Sequence, residues 1–179
     1  MNDYVTLALQ LGAHKAAEIA TEQLSFSVGF LAACEQNYCG RYGRNYTCPP
    51  HVGEIRSLIA KVQRRKTAVI WQTVHSLEDS YDFEGMQRGQ TLHNGITLEL
   101  AQQARAVLRD ALVLGAGGCF LCENCAVNTD EPCRFPGRAI SSLEAHGIDV
   151  SQIEHVTELK YVNGLDTVTY FSGLFFNAE

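Results

Sequence analysis

The sequence predicts an α/β fold in which helices pack on one mixed sheet and two long loops carry all the cysteines. Apolar runs rich in β-branched and aromatic residues at 67–74 and 165–176 indicate buried strands. Residues 91–112 repeat apolar side chains at helical spacing. The segments 34–53 and 115–137 lack such periodicity and contain all seven cysteines. Strands that alternate with helices are typical of a sheet covered by helices.

The N-terminal part of the chain is predicted to form two short helices and one strand. Residues 5–11 are apolar and compatible with a helix, which Gly12 is well placed to end. Residues 16–21 fit a helix or a strand, and the preceding glycine favours a short strand. A brief helix over 26–33 would lead directly to Cys34.

The middle of the chain contains the longest predicted helix. After the loop at 34–53, residues 54–65 carry apolar side chains at helical spacing and predict a helix. The strand at 67–74 is followed by a polar segment at 76–89, which is predicted to be a mobile loop. The helix at 91–112 then carries one apolar stripe, formed by Ile96, Leu100, Ala104, Val107 and Ala111.

The C-terminal part is predicted to contain two helices and the last strand. One helix is expected over 138–146, and Ser151 with Glu154 forms a capping-box pattern that predicts another helix as far as Leu159. The strand at 165–176 has apolar residues on both faces, so it should be central or covered on both sides. One face carries Val168, Tyr170, Leu174 and Phe176, and the other carries Phe171 and Phe175.

Composition excludes several classes of protein. Of the 179 residues 46% are hydrophobic, enough for the core of one domain spanning 1–179. The net charge of −6 gives no basic footprint for nucleic acid or an anionic membrane. No apolar run of about eighteen residues is present, and the first residues lack the basic start and apolar run of a signal peptide. We therefore expect a cytoplasmic protein with reduced thiols that can bind a metal.

The second cysteine loop has the spacing of a metal site. Cys119, Cys122 and Cys125 follow one another at two-residue intervals, and Cys133 comes seven residues later. Structural zinc usually takes two Cys-x2-Cys knuckles that are further apart. Three thiolates at this spacing are typical of a bacterial ferredoxin run on a 4Fe–4S cluster, although the interval to the fourth cysteine differs here. The spacing favours an iron-sulfur protein, an oxidoreductase or an accessory protein of electron transfer. The alternative is a structural zinc protein that acts as a binding or assembly module.

The first cysteine loop leaves two ways to divide the thiols. In a local partition, Cys119, Cys122, Cys125 and Cys133 hold one cluster, and Cys34, Cys39 and Cys48 hold a second cluster or an open metal. In a crossed partition, Cys48, which precedes a proline, completes the downstream triple as in two-cluster ferredoxins. The local partition is favoured because it needs no tertiary contact. Its upstream triad is one ligand short, and His51, water, a carboxylate or a substrate could take that position. Cys34 in particular could instead be a core thiol.

Basic residues and glycines near the cysteines are candidate cofactor-binding residues. Arg41, Arg44 and Arg134 lie within the two loops, where positive charge would stabilise a negative thiolate-bound cluster and raise its reduction potential. Gly117 and Gly118 precede the triple and allow close backbone approach to the cluster sulfurs. A redox partner protein or a small-molecule substrate is expected, and the apolar last strand is compatible with a homo-oligomer.

Two other kinds of site receive little support. The histidines form no His-x3-His or His-Glu-x2-His pattern of a zinc hydrolase. Cys122 and Cys125 form a Cys-x2-Cys pair, but a thiol redox site should open a helix after a strand rather than lie within a glycine-rich loop.

The cysteine strings resemble those of a family of small prokaryotic proteins of unknown function that are described as predicted metal-binding proteins. The resemblance covers nearly the whole chain, with one departure at Leu143, where a methionine is expected. It implies a metal or iron-sulfur site built from the seven cysteines in a cytosolic protein, and it implies no particular reaction. The matching strings are Cys34-x4-Cys39-Gly40-x-Tyr42-Gly43-x4-Cys48-Pro49-Pro50-x2-Gly53, Gly118-Cys119-x-Leu121-Cys122-Glu123-x-Cys125, Pro132-Cys133-Arg134-x-Pro136 and Ser142-x-Glu144-Ala145-x-Gly147-Ile148-Asp149-Val150.

Overall fold

A computed structural model describes residues 3–177 as four strands and four α-helices, with short 3-10 turns between them. In chain order the elements are α1 (Tyr4–Gln10), β1 (Lys15–Ala20), α2 (Phe30–Glu35), α3 (Ile55–Gln63), β2 (Thr67–Ser76), α4 (Phe83–Val107), β3 (Leu112–Leu114) and β4 (Thr167–Phe176). The 3-10 turns are Thr21–Gln23, Ala126–Thr129, Glu144–His146 and Val150–His155.

The strands form one sheet in the order β1-β2-β4-β3, and each neighbouring pair is antiparallel. The long central pair runs from Thr67 opposite Phe176 to Ser76 opposite Thr167. Beyond β3, an isolated parallel bridge joins Gly115 to Ser142. The predicted α/β fold with helices packed on a sheet is confirmed.

Apolar side chains cover both faces of the sheet. On one face α1 and α4 pack over Val69, Trp71 and Leu174. On the other face Val62 of α3 and the residues around the 3-10 turns pack over Ile70 and Phe175. Strand β4 is therefore central, as its two-sided apolar pattern predicts. Among the described residues, no helix is both long and apolar enough to cross a membrane.

The long helix begins earlier than the sequence predicts. The sequence indicates a loop at 76–89, but α4 starts at Phe83, where the Asp82 carboxylate accepts a hydrogen bond from Gly85 N at 2.7 Å. Gly85 and Gly89 are both buried, and Gly89 lies against His75 of β2. A Cβ atom on Gly89 would lie 2.8 Å from the ring of His75, so this glycine permits close packing of α4 on β2.

Two predicted helices near the C-terminus are wrong. Residues 138–146 contain only the 3-10 turn Glu144–His146, because Gly115 N donates to Ser141 O and holds this segment extended beside β3. The second helix is reduced to the 3-10 turn Val150–His155. Its cap is Asp149, which accepts from Ser151 N at 3.1 Å, rather than the predicted box between Ser151 and Glu154.

Candidate metal centre

The four downstream thiols line one small cavity. Strand β3 ends at Leu114, and the chain then forms a loop whose 3-10 turn, Ala126–Thr129, starts directly after Cys125. Asp130 has φ +54° and turns the chain back towards Cys133. The cavity measures about 20 Å³. All four thiols on its wall are half-buried and make no disulfide: Cys119, Cys122, Cys125 and Cys133.

Cys119 has the most enclosed environment of this loop. Burial raises the pKa of its thiol, while the backbone N–H groups of Leu121 and Ile140 act in the opposite direction. Both amides therefore lie near the sulfur. Ile140 is distant in sequence, so only the bridge between Gly115 and Ser142 brings its amide to this loop.

Arg134 lies beside Cys122 of the downstream loop. Interaction with the Cys122 sulfur, and then with Glu131, raises the pKa of the Arg134 guanidinium. Its Nη1 donates to Asn124 O at 3.0 Å, and its Nη2 lies 3.1 Å from Glu131 Oε2. The guanidinium therefore bridges the backbone of the triple and the segment before Cys133.

The upstream thiols lie near one another but are less enclosed as a group. Cys34 lies in α2, Cys39 is exposed, and Cys48 is half-buried. Burial raises the pKa of Cys48 to about 11; charge on Cys39 adds to this rise, and Arg41 opposes it. Burial also raises the pKa of Cys34, with smaller effects of Cys39 and Glu144. These mutual effects group the three upstream thiols together.

Two residues near the upstream thiols carry groups that can act as metal ligands, His51 and Glu144. His51 is exposed, and its Nε2 lies 3.2 Å from Gly43 O, while its ring meets Tyr46 edge-on. His51 lines a larger cavity that also touches Cys133. The carboxyl of Glu144, in contrast, is close enough to act on Cys34, and burial raises the pKa of this carboxyl. Sequence reasoning missed Glu144, although it lies in a matched string.

Side chains of the upstream loop form hydrogen bonds with the backbone of Cys119. Asn45 Nδ2 donates to Cys119 O at 2.7 Å, and Arg41 Nη1 donates to the same oxygen at 3.2 Å. Cys119 N donates to Thr47 Oγ1 at 2.8 Å. Asn45 Oδ1 in turn accepts from Thr47 N and Thr47 Oγ1 at 3.0 and 2.9 Å. Asn45 and Thr47 are both buried, and sequence reasoning missed their roles.

Glycine lets the two loops approach at a second point. A Cβ atom on Gly118 would lie 2.7 Å from Cys48 Sγ and 3.1 Å from Arg41 Cδ. Gly117 has φ +75°, which favours glycine, and a Cβ atom there would lie 2.7 Å from Gln90 Nε2. Both predicted glycines thus permit close contacts, and for Gly118 the contact is with an upstream thiol.

Arg44 is linked to the downstream loop through its backbone. Asn128 Nδ2 donates to Arg44 O at 3.2 Å and to Cys125 O at 3.1 Å. The Arg44 side chain is exposed. Tyr46 adds a further link between the loops, since its hydroxyl donates to Glu131 O at 2.7 Å. The carbonyl of Arg44, rather than its expected positive charge, therefore helps to hold the two loops together.

The thiols are not positioned to coordinate one metal ion. Within residues 3–177, no three His, Cys, Asp or Glu side chains are arranged so that they could hold one metal ion. The donor set nevertheless fits a thiolate-bound group, because four thiols line a common cavity with a guanidinium at its edge. The assignment of all seven cysteines as ligands stays a prediction.

Comparison with known proteins supports metal binding at the level of a family. Searches of the curated proteins and of the solved structures give no match to the chain. One family model matches residues 17–176, which include both cysteine loops and the whole sheet except the first two residues of β1. The chain therefore belongs to the family of predicted metal-binding proteins DUF2284, whose function is unknown.

Proposed function

We propose that this protein binds a 4Fe–4S cluster at its downstream loop and uses it in electron transfer in the cytoplasm. One observation carries the proposal: three cysteines at two-residue intervals and a fourth, Cys133, line the same cavity. Four cysteine thiolates are the usual ligands of such a cluster. The membership of the chain in a predicted metal-binding family agrees with this proposal.

Protein groups around the downstream thiols would raise the reduction potential of a bound cluster. A bound 4Fe–4S cluster supplies one-electron redox chemistry. Arg134 would hold positive charge beside Cys122, and the amides of Leu121 and Ile140 would direct partial positive charge at Cys119. Charge and hydrogen bonds of this kind stabilise the reduced, more negative state and therefore raise the reduction potential.

The upstream thiols would form a second, more accessible site. Cys34, Cys39 and Cys48 act on one another electrostatically, and Cys39 is exposed. Because this triad supplies three thiols, a carboxylate, a histidine or an outside molecule would complete it. Glu144 is the better internal candidate, since its charge acts on Cys34, whereas His51 faces a different cavity. The exposed site would be the point of contact with a redox partner protein or a small-molecule substrate.

Zinc at the downstream loop is the second candidate, and the size of the cavity favours it. A volume of about 20 Å³ is near the space that one water molecule needs and is thus closer to the size of one ion than of a cluster, although the thiols would have to move to coordinate that ion. A cluster would require the loop to open outward. The cysteine spacing favours the cluster and the cavity volume favours zinc, so the two cofactors must be separated by experiment.

The decisive experiment is anaerobic purification followed by metal and sulfide analysis. The proposal predicts a brown protein with broad visible absorption, bleached by dithionite, that contains four iron and four acid-labile sulfide for each cluster. A colourless protein with stoichiometric zinc and no labile sulfide would establish the structural zinc site instead. Reconstitution with iron and sulfide, run beside zinc alone, checks that purification has not exchanged the metal.

A further inference from the structure

A large cavity lies beside Cys133 of the downstream loop. It measures about 540 Å³, a size typical of small-molecule sites. Cys133 lies on its wall and also on the wall of the four-thiol cavity. A molecule bound here would therefore adjoin the proposed metal centre. Apolar residues such as Leu58, Val113 and Pro136 form part of the lining.

Positive charge is concentrated in this cavity. Four cations line it, while Asp110 is the one acidic residue among the described lining residues. This balance contrasts with the net charge of −6 of the whole chain. The four cations are Lys61, Arg65, Arg105 and Arg109.

No carboxylate of residues 3–177 forms an ion pair with these cations, although the charge of Asp110 acts on Arg65 from a longer distance. Within residues 3–177, the ion pairs within 4.0 Å involve Arg88 and Arg134 and none of the cavity cations. Arg65 Nε donates to the backbone oxygen of Asp110 at 2.7 Å, and Arg105 Nη1 donates to Gly137 O at 2.7 Å. The Asp110 carboxylate itself accepts from Asn177 Nδ2 at 2.8 Å.

Two of the four cations, Arg65 and Arg105, are affected by burial. Burial lowers the pKa of both Arg65 and Arg105, because it disfavours the charged guanidinium. Both side chains are held by backbone carbonyls, and Arg65 Nη1 also donates to Lys61 O at 2.5 Å. Within residues 3–177, Nε and Nη2 of Arg105 and Nη2 of Arg65 donate to no other residue, and the held side chains give these groups fixed directions. An arginine fork of this kind recognises carboxylate and phosphate groups with two parallel hydrogen bonds.

We propose that this cavity binds a small organic anion, with a carboxylate or phosphate group on the arginines and an apolar part against the opposite wall. Anion binding itself does not depend on the identity of the metal. The position of the anion beside a redox centre rests on the proposed function. In that arrangement the anion would be the substrate or effector of the downstream metal.

Isothermal titration calorimetry of the purified protein, with its native metal, tests the cavity. The probes are phenyl phosphate and benzoate, with inorganic phosphate as the anion alone and benzyl alcohol as the neutral aromatic. We expect an aromatic anion to bind, more tightly than either fragment, and the two anionic probes to distinguish phosphate from carboxylate recognition. The proposal would be overturned if benzyl alcohol bound as tightly as the aromatic anions, or if inorganic phosphate bound as tightly as phenyl phosphate. It would also be overturned if no anion bound.

Matched charge variants locate the binding site. Lys61→Gln with Arg109→Gln removes two exposed cations without touching the held arginines, and Arg65→Gln tests one of the latter. Affinity should fall about tenfold or more for each cation that is removed from the anion site. Arg56→Gln with Lys160→Gln removes equal charge outside the cavity and should have little effect. Equal decreases in affinity in the two double variants would overturn the assignment to this cavity.

A spectroscopic readout separates this inference from the proposed function. If the protein carries iron, phenyl phosphate or benzoate should change the electron paramagnetic resonance spectrum of the reduced wild-type protein and leave that of Arg65→Gln unchanged. Anion binding in a protein that lacks iron would refute the cluster and support the cavity. An iron-loaded protein that binds neither anion would refute the cavity alone.

Discussion

The two cysteine loops have similar residues but different surroundings. In the downstream loop, four half-buried thiols line one cavity, and Arg134 lies at its edge. In the upstream loop one thiol is exposed, and the polar side chains of Arg41, Asn45 and Thr47 reach across to Cys119. The downstream loop thus resembles a complete binding site. The upstream loop supplies three further thiols and also fixes the geometry of the first site.

This difference teaches that cysteines of one chain need not have equal roles. Local spacing can bring thiols to one cavity when they are close in sequence. A loop with wider spacing depends on contacts with other parts of the fold. If the upstream loop stabilises the downstream site, changes in its polar residues should reduce metal binding even when every thiol is kept.

The largest expected effect is the loss of the downstream metal in Cys122→Ser. A serine hydroxyl is a poor replacement for a thiolate ligand, so iron at this site should be lost. Cys39→Ser is the matched variant, because Cys39 is the exposed upstream thiol. It should keep the downstream cluster. Iron and labile sulfide are measured in both variants, and full iron content in Cys122→Ser would contradict the local partition.

The next effect is expected for Gly118→Ala, which forces the loops apart. The added methyl group would lie 2.7 Å from Cys48 Sγ. Overpacking of this kind costs about 1–3 kcal/mol, and metal content should fall with it. Urea unfolding measures the change. Gly137→Ala is the control, since a Cβ atom there meets no heavy atom within 4 Å and should leave both quantities unchanged.

Asn45→Ala tests the hydrogen bonds that hold the Cys119 backbone, without changing a thiol. The substitution leaves the Cys119 carbonyl and the Thr47 hydroxyl with fewer partners in a buried setting, which costs about 1–3 kcal/mol. Asn128→Ala also removes a hydrogen bond between the loops, but at an exposed position, and should cost less. The two variants are compared by urea unfolding and by the rate of metal release to a chelator. Equal effects would show that Asn45 does not have a special role in holding the Cys119 backbone.

The smallest effect on stability is expected from mild acid, which acts through His93 in the core of the sheet. Because His93 lies outside both cysteine loops, this effect can be compared with those of the loop variants. His93 is buried between Thr73 Oγ1, 2.9 Å from Nδ1, and Ser172 Oγ, 2.7 Å from Nε2. Burial lowers the pKa of His93 to about 3. The unfolded chain therefore takes up a proton near pH 6.5 that the folded chain does not, and stability falls as the pH decreases.

This contribution amounts to about 1.4 kcal/mol between about pH 7.5 and about pH 5.5. His93→Gln removes it, so the free energy of unfolding should depend less on pH in this variant than in the parent protein. Metal content at neutral pH should be unchanged, because the hydrogen-bond partners of the His93 ring lie in the sheet. An unaltered pH dependence would show that His93 does not titrate as its burial requires.

Much of the fold could be predicted because its signals are local. The two-sided apolar pattern of 165–176 identified the central strand, and the spacing at 54–65 identified α3. Two errors have physical causes outside those segments. The polar character of 76–89 suggested a loop, whereas α4 begins within it at Phe83 and Gly89 lets the helix approach β2. The expected helix at 138–146 is displaced by backbone pairing with Gly115.

The sequence by itself determined which thiols are near neighbours, because covalent spacing limits how far apart Cys119, Cys122 and Cys125 can lie. It also determined that the chain belongs to a family of predicted metal-binding proteins. Only the tertiary structure decided that Asn45 holds the Cys119 peptide and that Gly118 faces Cys48. It also decided that cations from α3 and from the end of α4 line one cavity beside Cys133. These contacts join residues far apart in sequence, and the packing of loops on the sheet, rather than local spacing, brings them together.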